Sequence, residues 1–195
     1  MTASGDPSDP SSLAARLFDQ GVLFLRGTLD DRAAGDLAMA LMTRDASGDE
    51  PVALYVDSDG GTVTGALAVM DTIDLLGVPV HATCTGRVGG AAVGVVAVCD
   101  RRRASPNARF RLEAPHEAFE GATGDVEAWL REHEERVGRF VARIAEATGR
   151  PVERLRADFD AGLALDAGQA RHYGLIDEVI PGPPRPVVVR SSTGT

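Results

Sequence analysis

Short apolar runs of strand length alternate with longer stretches of helical period, and this alternation limits the possible folds more than any other feature of the chain. Gly21–Arg26 (GVLFLR), Val52–Val56 (VALYV) and Val80–Thr85 read as buried strands. Asp31–Met42 carries apolar residues at Ala33, Ala34, Leu37, Ala38, Leu41 and Met42, a helical stripe with Asp30 or Asp31 as N-cap. Thr64–Leu76 repeats the pattern through Ala66, Val69, Met70, Ile73 and Leu76, with Gly77 as C-terminal cap and Pro79 as a stop. Ala91–Val98 predicts a wholly apolar helix, and Arg102–Ala104 and Arg109–Leu112 predict short strands. Asp125–Thr148 predicts a long amphipathic helix with Val126, Leu130, Val137, Phe140, Val141 and Ile144 inward. Helices at Pro151–Asp158 and Asp166–Tyr173 and a last strand at Ile176–Ile180 complete the series. Strands that alternate with helices imply parallel pairing and right-handed crossovers.

Two of the predicted strands run into glycine-rich turns that open helices, Asp57–Gly61 (DSDGG) and Gly86–Gly90 (GRVGG). In such sheets ligand sites form beyond the carboxyl ends of the strands. Both turns are therefore expected to line one pocket and to offer it backbone N–H groups.

The length of 195 residues suits one domain with tails. Residues 1–12 (MTASGDPSDPSS) are expected to be a disordered tail, residues 13–180 the folded unit and residues 181–195 a Pro-rich tail. A net charge of −9 disfavours nucleic acid as a partner, because phosphate neutralisation needs a basic face. The chain has no Lys, so Schiff-base and Ser–Lys chemistry are excluded. The longest apolar stretch, Ala91–Cys99, is too short to span a membrane, and the N-terminus lacks the pattern of a secretory signal. Cys84 and Cys99 lie in apolar segments and read as buried free thiols in a reducing cytoplasm. The four His show no metal-ligand spacing, so neither metal nor other cofactor is expected.

Seven stretches carry a resemblance to a known family: Gly21–Gly27 (GVLFLRG), Leu54–Leu67 (LYVDSDGGTVTGAL), Met70–Ile73 (MDTI), Thr83–Gly86 (TCTG), Ser105–Arg109 (SPNAR), Ala147–Gly149 (ATG) and Tyr173–Ile180 (YGLIDEVI). In order and spacing the chain resembles the Clp protease proteolytic subunit over about residues 13–180. The resemblance implies a crotonase-like α/β fold of repeated ββα units with a projecting handle helix, here about residues 125–148. It implies a heptameric ring, one of two stacked face to face, in which the handles interlock. It also implies an ATP-driven (AAA+) unfoldase as a possible partner, although the short polar N-terminal segment differs from the family's axial loops.

The family's catalytic triad is Ser, His and Asp, which act as nucleophile, base and orienting carboxylate. Position by position, the serine falls on Gly90, the histidine on Glu113 and the aspartate on Gly162. The resemblance places the two oxyanion-hole N–H groups at Gly61 and Ala91. Ser58, His116 and Asp160 are the possible surrogates for the missing groups. The first expectation is thus a non-catalytic structural or regulatory ring subunit, in a homo-oligomer or a mixed ring with an active paralogue. A second reading is a crotonase-type acyl-CoA enzyme with an oxyanion hole and Glu113 as acid/base, suggested by Gly86–Asp100. That reading lacks the longer oxyanion insertion and the C-terminal helices of such enzymes. A third is an active serine peptidase with a relocated nucleophile.

Overall fold

A computed structural model describes residues 10–115 and 126–182. The described chain runs α1 (Pro10–Asp19), β1 (Val22–Leu29), α2 (Asp31–Asp45), β2 (Val52–Gly61), α3 (Val63–Leu75), β3 (Val80–Gly89), α4 (Gly90–Ala97), β4 (Arg101–Ala104) and β5 (Arg109–Arg111). It resumes with α5 (Val126–Thr148), α6 (Val152–Asp160), β6 (Ala164–Asp166), α7 (Ala167–Tyr173) and β7 (Glu178–Val179). The fold is mixed α/β and agrees with the expected Clp-type architecture.

The strands form one sheet in the order β1-β2-β3-β4-β7, all parallel. β3 is long enough to serve two partners. Its first half pairs with β4 (His81↔Arg101 to Cys84↔Ala104), and its last three residues pair with β5 (Arg87↔Arg109 to Gly89↔Arg111). β6 then pairs antiparallel with β5. The ends of β2, β3, β5 and β6 therefore form a second tier, and that tier carries the site.

The inner face of the sheet is apolar at every second residue, the period of a half-buried strand. Leu23 and Leu25, Val52, Leu54 and Val56, and Val80, Ala82 and Cys84 are buried there. Helices α3 and α4 cover them through Val63, Ala66, Val69, Met70, Val93 and Val96. The long helix α5 reaches this core with its C-terminal half only, through Phe140, Val141, Ile144 and Ala145. Gly94 of α4 admits it, because a Cβ there would lie 2.2 Å from Phe140 Cε2 and 2.9 Å from Met70 Sδ.

Several sequence expectations need correction. The two glycine-rich segments are strand, not turn: β2 continues through Asp57–Gly61 and β3 through Gly86–Gly89. The β1 ladder resumes there as Thr28↔Gly60 and Leu29↔Gly61, which apolar patterning does not reveal. Helix α3 stops at Leu75 with Leu76 as C-cap, and Gly77 instead donates its N–H to Asp45 Oδ1 at 2.7 Å. Helix α1 begins at Pro10, so the last three residues of the expected tail are helical. The rest of that tail and residues 183–195 lie outside the described residues. Val126 and Leu130, expected inward, are half-buried and 45% exposed. Neither α1 nor β6 was expected.

Candidate active site

Close backbone approach builds the centre of the site. β2 ends in Asp59-Gly60-Gly61 beside the junction of β3 with α4 at Gly89-Gly90. A Cβ on Gly61 would stand 2.0 Å from the carbonyl oxygen of Leu29, and one on Gly89 would stand 2.5 Å from that of Asp59. Real Cβ atoms do not come so near to carbonyl oxygens, so both positions require glycine for the strands to meet. Gly90 is different. Its φ of +43° is left-handed, yet a Cβ there would find ordinary contacts at 3.6 Å to Gly60 Cα and the Glu113 carbonyl, and 3.7 Å to Glu113 Cγ. A sharp strand-to-helix junction with room for one side chain is the geometry in which serine hydrolases expose a nucleophile. Here that room holds only hydrogen.

A cavity of about 210 Å³ opens over this point, lined by Thr28, Asp59, Gly60, Gly61, Gly90 and Glu113 together with Ala114 and Pro115. It brings Gly61, Gly90 and Glu113 together. Ala91 follows in the first turn of α4, fully buried. The N-cap of that helix, Gly89, supplies no side-chain capping bond. The first-turn N–H groups of a helix have no partner within it, so α4 presents amide donors beside the cavity.

Glu113 is held by an ion pair from its carboxylate to Arg111 Nε at 3.0 Å. Arg111 in turn reaches toward Gly162 (φ +64°), where a Cβ would lie 3.9 Å from its Nη2. Gly90, Glu113 and Gly162 thus form a chain of neighbours through Arg111, with a carboxylate–guanidinium pair between two glycines. Asp59, next to Gly60, is neutralised by Arg87 at 2.7 Å.

The possible surrogates are placed elsewhere or otherwise committed. Ser58 is buried and donates its hydroxyl to the Gly27 carbonyl at 2.5 Å, while its oxygen meets the N–H of Gly60 at 3.3 Å. The hydroxyl proton faces a carbonyl rather than a base. Asp160 is exposed at the end of α6 and lines neither this cavity nor the neighbouring cleft described below. His116 lies outside the described residues. Thr62 caps α3 by accepting from Gly65 N at 2.9 Å. Burial pushes the Cys84 thiol up to about 12, leaving it protonated at neutral pH. The arginines after the α4 helix are β4 residues, with Arg101 paired to Glu178 and Arg102 to Asp177. Among the described residues no three His, Cys, Asp or Glu side chains gather closely enough to hold a metal ion.

The whole scaffold around this cavity has a known counterpart. A family model described as Clp protease matches residues 8–183. The chain belongs to the Clp protease family. It is 30% identical over 170 residues to the ATP-dependent Clp protease proteolytic subunit 1 of Thermobifida fusca, covering 85% of this chain and 77% of that one. It is 35% identical over 184 residues to a putative ATP-dependent Clp protease proteolytic subunit-like protein of Streptomyces coelicolor, covering 90% of this chain and 84% of the relative. Sequence reasoning missed Arg111 as the partner of Glu113. The one available signal was the alternation Arg109-Phe110-Arg111, which puts both arginines on one face of a strand.

Proposed function

We propose that this chain is a non-catalytic subunit of a Clp-type ring, structural or regulatory in role, with the family scaffold intact and the Ser-His-Asp triad replaced. The observation that carries this reading is Gly90. The nucleophile position has the backbone of a catalytic elbow and no hydroxyl. Loss of a triad nucleophile lowers turnover by about 10⁶ in a serine protease. The other two positions agree with it. Glu113 is held on Arg111 and meets no hydroxyl at Gly90, and Gly162 offers no carboxylate. The close backbone approach at Gly61 and Gly89 fits a subunit that keeps its backbone geometry without the chemistry.

The test is a peptidase assay on the purified full chain with a fluorogenic peptide, run beside Gly90→Ala and beside a mixture with an active Clp proteolytic subunit. The expected result is no hydrolysis by the chain alone, no labelling by a fluorophosphonate, and co-elution with the active subunit as one particle. Hydrolysis that Gly90→Ala leaves unchanged, or a fluorophosphonate-labelled serine, overturns the reading in favour of a relocated nucleophile.

A further inference from the structure

A cleft of about 620 Å³ lies against the ends of β3, β5 and β6 and shares Asp59 and Glu113 with the smaller cavity at Gly90. Three arginines line it, and the strand register explains how. Arg87 is the partner of Arg109 across the parallel β3–β5 pair, and Arg111 follows Arg109 by two residues on the same strand face. Like charges opposed across a ladder repel, so each guanidinium calls for a counter-charge. Arg87 has one in Asp59 at 2.7 Å, and Arg111 has one in Glu113 at 3.0 Å.

Arg109 has none. Its Nη1 donates to the carbonyl of Ala108 at 3.0 Å, and among the described residues it forms no ion pair. The residue opposite it on the antiparallel strand β6 is Asp166, the expected cross-strand partner. Asp166 also lines the cleft and keeps its charge, but its Oδ1 accepts from Gln169 N at 2.8 Å in the capping box of α7, and it forms no ion pair with Arg109. The fold therefore places in the cleft an exposed guanidinium that, among the described residues, forms no ion pair, opposite an acid that spends one oxygen on the cap of α7.

We propose that this cleft binds a carboxylate, with Arg109 as its anchor. Guanidinium and carboxylate match as a two-pronged hydrogen-bonded pair, stronger than a neutral hydrogen bond. The flanking pairs Arg87–Asp59 and Arg111–Glu113 occupy their own guanidiniums, so Arg109 is the arginine of the cleft left to meet a ligand. The cleft falls within the ~300–1,000 Å³ typical of ligand sites, enough for an acidic side chain with its flanking backbone or for a free dicarboxylic acid. This inference goes beyond the non-catalytic reading and does not depend on whether the chain hydrolyses peptides.

The experiment is calorimetric titration of the full chain with three probes: a capped pentapeptide with a central glutamate, the same peptide with glutamine, and free glutarate. The glutamate peptide is expected to bind at least about tenfold more tightly than the glutamine peptide. Arg109→Gln is expected to abolish the difference, Arg109→Lys to retain part of it, and Arg32→Gln on α2 to leave it intact. Partial retention by the lysine variant separates lost charge from a lost fold. Binding of glutarate without the peptide sustains the carboxylate site and identifies a small acid as its ligand. Equal binding of the two peptides, full binding by Arg109→Gln, or no heat from the glutamate peptide and glutarate alike at millimolar concentration overturns the proposal. A chain that hydrolyses peptide yet shows this selectivity overturns only the non-catalytic reading.

Discussion

At the scale of single residues, the glycines of the site divide by what a Cβ would meet, and the division gives opposite mutational expectations. At Gly61 a methyl group would be driven into the Leu29 carbonyl, where β1 and β2 are paired. Gly61→Ala is expected to lower stability by about 3 kcal/mol or more, because backbone must shift to admit it. At Gly90 the space is open and only the left-handed φ opposes a side chain. Gly90→Ala and Gly90→Ser are expected to cost about 1–2 kcal/mol, the usual penalty for an L-residue in that region. Urea denaturation midpoints of the variants check the contrast, and a Gly61→Ala midpoint equal to that of Gly90→Ala contradicts it. The same contrast shows how much of the site the sequence carries. The resemblance offers Gly90, Glu113 and Gly162 as the triad positions, each at a fixed offset from a recognisable stretch, and the proposed function rests on that placement. Their surroundings were not legible in the sequence. The salt bridge from Glu113 to Arg111, and the approach of Arg111 to Gly162, depend on side-chain directions that spacing along the chain does not determine.

At the scale of elements, the strand–helix alternation was legible and the tier that carries the site was not. Apolar period 2 marks the strands as far as Val56 and Cys84. Beyond those residues the strands continue as DSDGG and GRVG, whose pairing comes from neighbours distant in sequence rather than from local preference. β6 is three residues long, too short to show a period at all. The C-terminal elements are joined to the sheet by Arg102, whose side chain is 16% exposed. Its Nε donates to Asp177 Oδ1 at 3.1 Å, and its Nη1 donates to the carbonyls of Gly174 at 3.0 Å and Ala147 at 3.3 Å. One guanidinium thus ties β4, the end of α5 and the loop before β7. Burial raises the Asp177 pKa, but hydrogen bonds and charge from Arg102 outweigh it and hold the carboxyl below its ordinary range. A depressed folded-state pKa stabilises above the unfolded-state value of about 4 and loses its contribution as pH falls through the folded value. Asp177→Asn is therefore expected to be less stable than the parent at pH 7 and to approach it below about pH 4. Arg102→Gln is expected to cost about 2–3 kcal/mol at pH 7, since it strands acceptors on three residues, Ala147, Gly174 and Asp177. Thermal melts at about pH 7 and about pH 3 read both effects. A stability gap between the parent and Asp177→Asn that persists undiminished at low pH contradicts the assigned pair.

At the scale of the whole molecule, the handle helix is the part that a single protomer does not explain. Its 23 residues span about 35 Å at the helical rise. Its buried residues Phe140, Val141, Ile144 and Ala145 all lie in the second half, and among the described residues no side chain of the first half is fully buried. That half carries Trp129, stacked on His133 at 5.0 Å, and Leu130, 45% exposed. An amphipathic stripe that leaves its apolar residues half in water for several turns is stable when another surface covers it. The helix was legible in the sequence, but which of its apolar residues the domain buries was not, because buried and exposed apolar residues share one period. In the proposed ring, the covering surface would be a second copy of this helix or an active paralogue's. Leu130→Glu is expected to reduce the assembly without unfolding the protomer. In analytical ultracentrifugation the parent should sediment as a multiple of the 20.4 kDa chain. The variant should sediment as a smaller species at the same concentration, with an unchanged far-UV spectrum. A parent that sediments at the mass of one chain, or a variant that keeps the full assembly, removes the handle from the interface.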